Sequence, residues 1–360
     1  MARLRRSDCS GAGIRRRRRG KGFEYLDEHG NRVVDPEVLD RVRALAIPPA
    51  WHDVWVCPFP MGHLQATGTD ARGRKQYLYH LKWRERQDQQ KFDAMLDFAR
   101  ALPSLRERLT GQIAVDGMPR ERVLACAVRL LDLGFFRVGS EAYAADNETY
   151  GLATMRKDHV TVSGNEVSFD YDAKGSKRHT RDLVDPVVAE IVAALKRRRG
   201  GGPELLAHKV SGRWVDVKSA DINQYLKEQT GLDVTAKDFR TWNATVLAAV
   251  GLAASSAAPR SKTGIKRAET RAIAEVARYL NNTPAVCRAS YIDPRVFDRF
   301  ESGWTISSAL TDMEEAKALT GSALHGKPEE AVIDLISDPV QSPAVEKVVE
   351  VVAELEEVAA

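Results

Sequence analysis

The groups in this 360-residue chain best suited to act together on an anion are one tyrosine and a scattered set of cations. Tyr291 closes the stretch Asn282-Thr283-Pro284-Ala285-Val286-Cys287-Arg288-Ala289-Ser290-Tyr291. Thr283 is a good N-cap and Pro284 suits the first helical position, so a short helix follows them. Asp293-Pro294 repeats the signal, which ends that helix near Tyr291 and lets its phenol point outward. Arg137 sits among aromatic and small apolar neighbours in Phe135-Phe136-Arg137-Val138-Gly139-Ser140. A partly buried guanidinium there needs an anionic partner. Lys237 and Arg240 lie three apart on the first turn of a helix, and a helix N-terminus beside two cations favours phosphate. Lys174 stands in the turn Ala173-Lys174-Gly175-Ser176-Lys177. Taken singly, each has a plain structural explanation: a packed tyrosine, a core ion pair, solvated cations on exposed turns.

The elements that would position these groups follow from pattern and punctuation. An apolar helical run spans about Arg120 to Leu133, with Gly134 as its C-terminal stop. Thr235 with Asp238 forms a variant capping box opening a long apolar helix to about Ala254. Residues 159–162 and 166–171 alternate as strands around the turn 163–165, and a third strand is expected at 178–183. This places Lys174 at a hairpin tip. Asp35 and Pro36 start a helix to about Leu45, and from Trp83 the spacing of Phe92, Met95, Leu96 and Ala99 is helical. Gly200-Gly201-Gly202-Pro203 reads as a flexible break and 257–266 as a loop. Four regions result: a mobile basic arm over 1–20 with Arg15–Arg19 as a non-specific DNA contact, a β-rich domain over 21–90, a mainly helical domain over 91–310, and an acidic tail over 311–360 that is a loose helix or disordered.

Charge is unevenly placed. The net charge is +4, but residues 1–90 carry +7, 91–310 carry +6 and 311–360 carry −9. The basic regions suit a protein that tracks a phosphate backbone, although basic surface also serves solubility alone. Cys9, Cys57, Cys126 and Cys287 are widely spaced, with no metal-ligand spacing and no disulfide framework, so a reducing cytoplasm is the expected compartment. No apolar stretch is long enough to span a bilayer, and the N-terminus lacks the apolar core of a secretory signal. Gly321–Lys327 matches the start of a phosphate-binding loop, but Pro328 stands where a hydroxyl is required, so no ATP requirement follows.

Together the residues resemble the type IB DNA topoisomerases, in particular their bacterial and poxvirus-like branch. That family's pattern is an arginine, a hairpin lysine, a Lys-x-x-Arg, a His or Asn, and a nucleophilic tyrosine nine residues later. Here these fall on Arg137, Lys174, Lys237 with Arg240, Asn282 and Tyr291. Asn282 stands where poxvirus members carry His, and an amide can donate a hydrogen bond but cannot carry a proton charge. Thr67–His80, with Gly73-Arg74-Lys75-Gln76-Tyr77, is similar to the family's DNA-clamping strand, and Ile47–Trp51 and Val54–Pro58 fit it as well.

The resemblance runs from about Lys21 to Phe300. It implies an α+β fold, with a small N-terminal β-rich clamp domain and a larger α-helical catalytic domain carrying an inserted β-hairpin. It implies ATP- and metal-independent relaxation of supercoiled DNA through a 3′-phosphotyrosyl intermediate on Tyr291, with no cofactor. Arg137, Arg240 and Asn282 would hold the phosphate oxygens, and Lys174 would serve as general acid. Arg74, Lys75, Gln76, Tyr77, Tyr79 and Lys237 would contact DNA. The expected partner is double-stranded DNA, met by a monomer associated with the nucleoid. A tyrosine recombinase uses nearly the same set, but typically has His-x-x-Arg where this chain has Lys237-x-x-Arg240, and it lacks the clamp motif. A non-catalytic DNA binder on the same scaffold is the third reading.

Overall fold

The computed structural model describes residues 3–255, 261–310, 324–337 and 340–347. The chain divides into two compact units, Met1–Asp93 and Ala94–Ala360. The first is built on an antiparallel sheet of β1 (Ile14–Arg19), β2 (Gly22–Leu26), β3 (His52–Val56), β4 (Leu64–Thr69) and β5 (Lys75–Tyr79), in the order β2-β1-β3-β4-β5. Helix α1 (Pro36–Ala44) starts as expected, its N-cap Asp35 accepting from the Glu37 N–H at 2.9 Å. Val42 of α1 joins Ile14, Val54, Val56 and Ala66 in one apolar cluster on one sheet face.

The arginine run is not a mobile arm. Arg15 to Arg19 pair with Gly22–Leu26 as a regular ladder. The strand is possible because only one of the five guanidiniums is turned inward. Arg16 donates to the carbonyls of Ile47, Pro48 and Trp51 at 3.2, 3.1 and 2.6 Å, while its four neighbours stay exposed.

Helix α2 (Leu81–Ile113) leads into the second unit. There follow α3 (Arg120–Gly134), α4 (Glu141–Asn147), the meander β6 (Val160–Ser163), β7 (Glu166–Ala173) and β8 (Lys177–Val184), and α5 (Pro186–Arg197). A ribbon of β9 (Ala207–Val210) and β10 (Arg213–Asp216) precedes α6 (Ser219–Thr230), α7 (Ala236–Ala253) and α8 (Lys262–Leu280). The chain continues through α9 (Pro284–Ser290), α10 (Pro294–Glu301), β11 (Trp304–Thr305), α11 (Ser307–Leu310), α12 (Lys327–Ser337) and β12 (Glu346–Lys347). Nearly every residue of α7 from Phe239 onward is buried, which makes it the central helix of the unit. No helix among the described residues is long and apolar enough to cross a membrane.

Four expectations are corrected. Helix α3 stops one residue later than expected: Phe135, not Gly134, takes the left-handed conformation, with φ of 58°. Gly134 is needed for space instead, since a Cβ there would lie 2.1 Å from the Phe136 ring. The Gly200–Pro203 break folds around buried Arg198, which donates to the carbonyls of Leu195, Leu205 and Gly202. Residues 262–266, expected as loop, form the first turns of α8 behind the N-cap Ser261. Part of the acidic tail is packed helix. Glu329 of α12 accepts from Trp242 Nε1 at 2.8 Å and from Arg106 at 2.9 Å, and Arg106 also grips Asp132 of α3 at 2.8 and 2.9 Å. Residues 311–323, 338–339 and 348–360 of the expected tail, with part of the Gly321–Lys327 motif, and residues 257–260 of the expected loop lie outside the described residues.

This buried ionic network ties α2, α3, α7 and α12 together. Burial opposes charge on Asp132, but hydrogen bonds from Arg106 and His325 prevail and hold its carboxyl well below the usual range. A depressed carboxylate stabilises the fold above its unfolded pKa of about 4 and loses that contribution on acidification. Glu329→Ala leaves Arg106 and the Trp242 N–H short of a partner, so it should lower unfolding stability by about 3–5 kcal/mol in urea titration. The parent chain should lose stability as pH falls below about 4, and Asp132→Asn should flatten that fall.

Candidate active site

A cavity of about 260 Å³ in the second unit brings together Arg137, Lys174, Lys237, Arg240 and Tyr291, from four separate parts of the sequence. Val138, Gly139, Ser140, Thr149, Tyr150 and Ala236 complete its wall.

Backbone carbonyls hold the two arginines. Arg240, on the first turn of α7, is only 3% exposed. It donates to the carbonyl of Phe135, which the left-handed turn after α3 presents, and to that of Leu280 at 2.8 Å. Among the described residues its Nε has no hydrogen-bond partner. Arg137 donates to the carbonyl of Asn281 at 3.3 Å. Both guanidiniums therefore rest on the last carbonyls of α8, where the helix dipole favours cations. Neither has a carboxylate partner among the described residues, so the plain alternative for Arg137, a core ion pair, is not formed there. Burial, followed by the charge of Arg137, pulls the Arg240 pKa down to about 10, which still leaves it protonated at neutral pH.

Tyr291 ends α9, whose N-cap Thr283 accepts from the Val286 N–H at 3.3 Å. The phenol does not point outward, as the sequence suggested. The residue is 8% exposed and faces the cavity, with Arg240 5.4 Å and Lys237 5.9 Å from its ring centroid. Its backbone is pinned to α7: the Thr245 hydroxyl lies 3.4 Å from the Tyr291 carbonyl and accepts from the Asp293 N–H at 3.1 Å. Burial alone would raise the phenol's pKa, but the charges of Arg240 and Arg137, and hydrogen bonds from both, carry it below the ordinary value. The phenols of Tyr171 and Tyr225 go the other way, pushed up by burial. Of Tyr171, Tyr225 and Tyr291, Tyr291 alone has its phenol pKa lowered.

Lys174 occupies the turn between β7 and β8, as expected, and reaches the cavity wall. The meander is fastened beside it by the Tyr150 N–H on the Asp172 carbonyl (2.8 Å). Asn281 Nδ2 on the Arg178 carbonyl (3.1 Å) and Arg181 on the Tyr279 carbonyl (3.1 Å) complete the attachment. Lys237 is exposed on the first turn of α7, where the Asp238 carboxylate accepts from the Thr235 N–H and hydroxyl at 2.8 and 2.9 Å. Asn282 is not on the cavity wall. Its Oδ1 accepts from the Thr283 N–H at 3.0 Å, which leaves the amide nitrogen as its donor.

Sequence reasoning missed Thr149 and Tyr150. The signal was the glycine after them: a Cβ on Gly151 would fall 2.5 Å from the Gly139 Cα, so the two loops meet backbone to backbone and carry their neighbours into the wall. Among the described residues, no group of three or more His, Cys, Asp or Glu stands together as a metal would require. In the first unit, Lys75, Tyr77 and Tyr79 alternate outward along β5, with the two tyrosine rings 6.1 Å apart. Arg74 and Gln76 both turn to Asp70, each at 2.9 Å.

A model of the eukaryotic DNA topoisomerase I catalytic core matches residues 80–318, and one of the bacterial DNA topoisomerase IB N-terminal domain matches residues 22–70. DNA topoisomerase 1B of Acanthamoeba polyphaga mimivirus is 29% identical over 285 residues, covering 78% of this chain and 85% of that protein. DNA topoisomerase I of Monkeypox virus is 22% identical over 243 residues, 64% of this chain and 70% of that protein. DNA topoisomerase 1 of Daucus carota is 30% identical over 130 residues, 35% of this chain but 15% of that longer protein.

The depressed phenol depends on its arginines. In Arg137→Ala the Tyr291 phenol should ionise at higher pH than in the parent. The measurement is ultraviolet titration, with Tyr291→Phe subtracted in each background to isolate the one ring.

Proposed function

This chain belongs to the type IB DNA topoisomerase family, and from that membership we propose a mechanism in which it relaxes DNA through a transient covalent link to Tyr291, without ATP or a metal ion. The observation that carries the reading is the buried, pKa-lowered phenol between two arginines that no carboxylate among the described residues neutralises. A site with one buried and one half-buried guanidinium, neither facing a carboxylate among the described residues, is poorly satisfied until an anion enters, and a phosphodiester supplies one.

The Tyr291 oxygen attacks the scissile phosphorus in line. The phosphorus–5′-oxygen bond breaks and a 3′-phosphotyrosyl bond takes its place. Negative charge builds on the non-bridging oxygens, where the forked donors of Arg137 and Arg240 meet it, including the unpartnered Arg240 Nε. Asn282 adds its amide N–H₂, a neutral donor. The departing 5′-alkoxide is far more basic than a phenoxide and needs a proton, which Lys174 delivers from the hairpin turn, with Lys237 as a second cation. Phosphoryl energy is kept in the covalent link, so rejoining is the reverse displacement by the 5′-hydroxyl and needs no outside energy source. While the nick is open, the downstream duplex turns about the intact strand. Lys75, Tyr77 and Tyr79 on β5 contact the DNA, as the exposed face of that strand supports.

Incubation of supercoiled plasmid with the chain in EDTA without ATP should give relaxed topoisomers, and Tyr291→Phe should abolish them while leaving DNA binding in place. Site-specific strand exchange in place of relaxation would point to the recombinase reading, and binding alone to the non-catalytic one. Lys174→Ala should cleave ordinary DNA far more slowly than the parent. On DNA carrying sulfur at the 5′-bridging position, whose thiolate leaves without a proton, it should cleave nearly as fast. Equal damage on both substrates would make Lys174 a positioning residue.

A further inference from the structure

Resting on the reading above, we infer that Arg15, Arg17 and Arg19 of β1 form a second phosphate-contacting row on the same sheet face as Lys75, Tyr77 and Tyr79, gripping the backbone of double-stranded DNA. Register carries the argument. Arg15 lies opposite Trp55 of β3, Trp55 opposite Thr67 of β4, and Thr67 opposite Tyr77 of β5. Directly opposed residues of antiparallel strands point to one face, so this row places Arg15 and Tyr77 on the same side of the sheet. Alternation adds Arg17 and Arg19 on β1, and Lys75 and Tyr79 on β5.

The remaining arginines of the run belong to the opposite face. Ile14 there joins the apolar core, Arg16 is committed to three carbonyls, and Arg18 is exposed beyond them. One run of five like residues therefore serves two purposes, with three side chains assembled on the side of the exposed tyrosines.

The row is built to meet an anion. The Arg17 and Arg19 side chains are 65% and 60% exposed. Glu24, opposite Arg17 in register and mostly covered, lies 2.6 Å from Arg17 and 3.5 Å from Arg19 and props both upright. One carboxylate set against three guanidiniums leaves the row cationic. Three strand steps separate β1 from β5, a span of about 14 Å. That is close to the ~12 Å width of the DNA major groove, so aromatic side chains on β5 can enter a groove while arginines on β1 reach phosphates across it. Between the edges, Cys9 packs over Trp55 and Cys57 and closes the floor.

The test is the salt dependence of duplex DNA binding by the full chain, comparing the parent, the triple variant Arg15→Gln/Arg17→Gln/Arg19→Gln, and Arg18→Gln. Each lost phosphate contact should flatten the slope of log K against log salt by about 0.9. The triple variant should therefore fall by about 2 to 3 units of slope and bind more weakly, with Arg18→Gln unchanged. If circular dichroism shows the triple variant unfolded, Arg15→Gln, which disturbs no ion pair with Glu24, carries the same test at about 0.9 of slope. A triple-variant slope equal to the parent's, or an equal loss per arginine in Arg18→Gln, overturns the inference. A parent chain that binds but forms no covalent DNA adduct would instead overturn the proposed mechanism, which keeps the two failures distinct.

Discussion

Two guanidiniums held by backbone carbonyls, with their charge left uncancelled, are the constraint around which the second unit is arranged. An arginine buried against a carboxylate is neutralised, and one left in water is screened. Arg240 is neither: it is fixed by the carbonyls of Phe135 and Leu280, and Arg137 by that of Asn281. Carbonyl dipoles satisfy N–H donors without removing a unit charge, so the cavity keeps its pull on an anion. That requires carbonyls turned inward at two helix ends. Phe135 and Asn281 both adopt positive φ, at 58° and 47°, where side-chain-bearing residues are uncommon. Gly134 supplies the close approach to Phe136 that lets the first of these turns pack. The same Asn281 side chain bonds β8, so the helix end that holds Arg137 also fastens the meander bearing Lys174.

Chemistry and stability meet on α7. Its first turn carries Lys237 and Arg240, Thr245 pins the chain around Tyr291, and Trp242 between them bonds Glu329 of α12. The ionic network of Arg106, Asp132 and Glu329 stands on the side of α7 that faces α12, with two carboxylates on one guanidinium. At the cavity, the described residues offer Arg137 and Arg240 no such match. Carboxylates face the arginine where the helix must be held, and are withheld where a substrate must supply the negative charge.

Features written in a few consecutive residues were legible in the sequence. The Thr283-Pro284 and Asp293-Pro294 starts, the Asp35 cap, the Thr235–Asp238 pair and the alternation across 159–183 are local, and local hydrogen bonds decide them. The site residues were named because residue type and order matched a known pattern, and four cations and Tyr291 line one cavity. What escaped depended on distant partners. Arg15–Arg19 looked like a solvated arm because nothing nearby in sequence shows that the carbonyls of residues 47–51 receive Arg16. The glycine run after Arg198 looked loose because its role is to wrap that side chain. The acidic tail hid a packed helix because the Arg106 and Trp242 that hold Glu329 lie far away in the chain. Tyr291 looked exposed because its burial comes from α7 and not from its own helix.

The central claim, that the phenol between the two arginines is the nucleophile and takes the 3′ side of the break, is tested most directly by locating the covalent bond itself. The chain is denatured during turnover on DNA labelled at its 5′ end, the adduct is digested with protease, and the DNA-linked peptide is sequenced by mass spectrometry. The account predicts label retained on protein through a 3′-phosphate, and a single modified residue, Tyr291, in the peptide around Arg288. A DNA-linked peptide containing any other residue, or linkage through a 5′-phosphate, would contradict it.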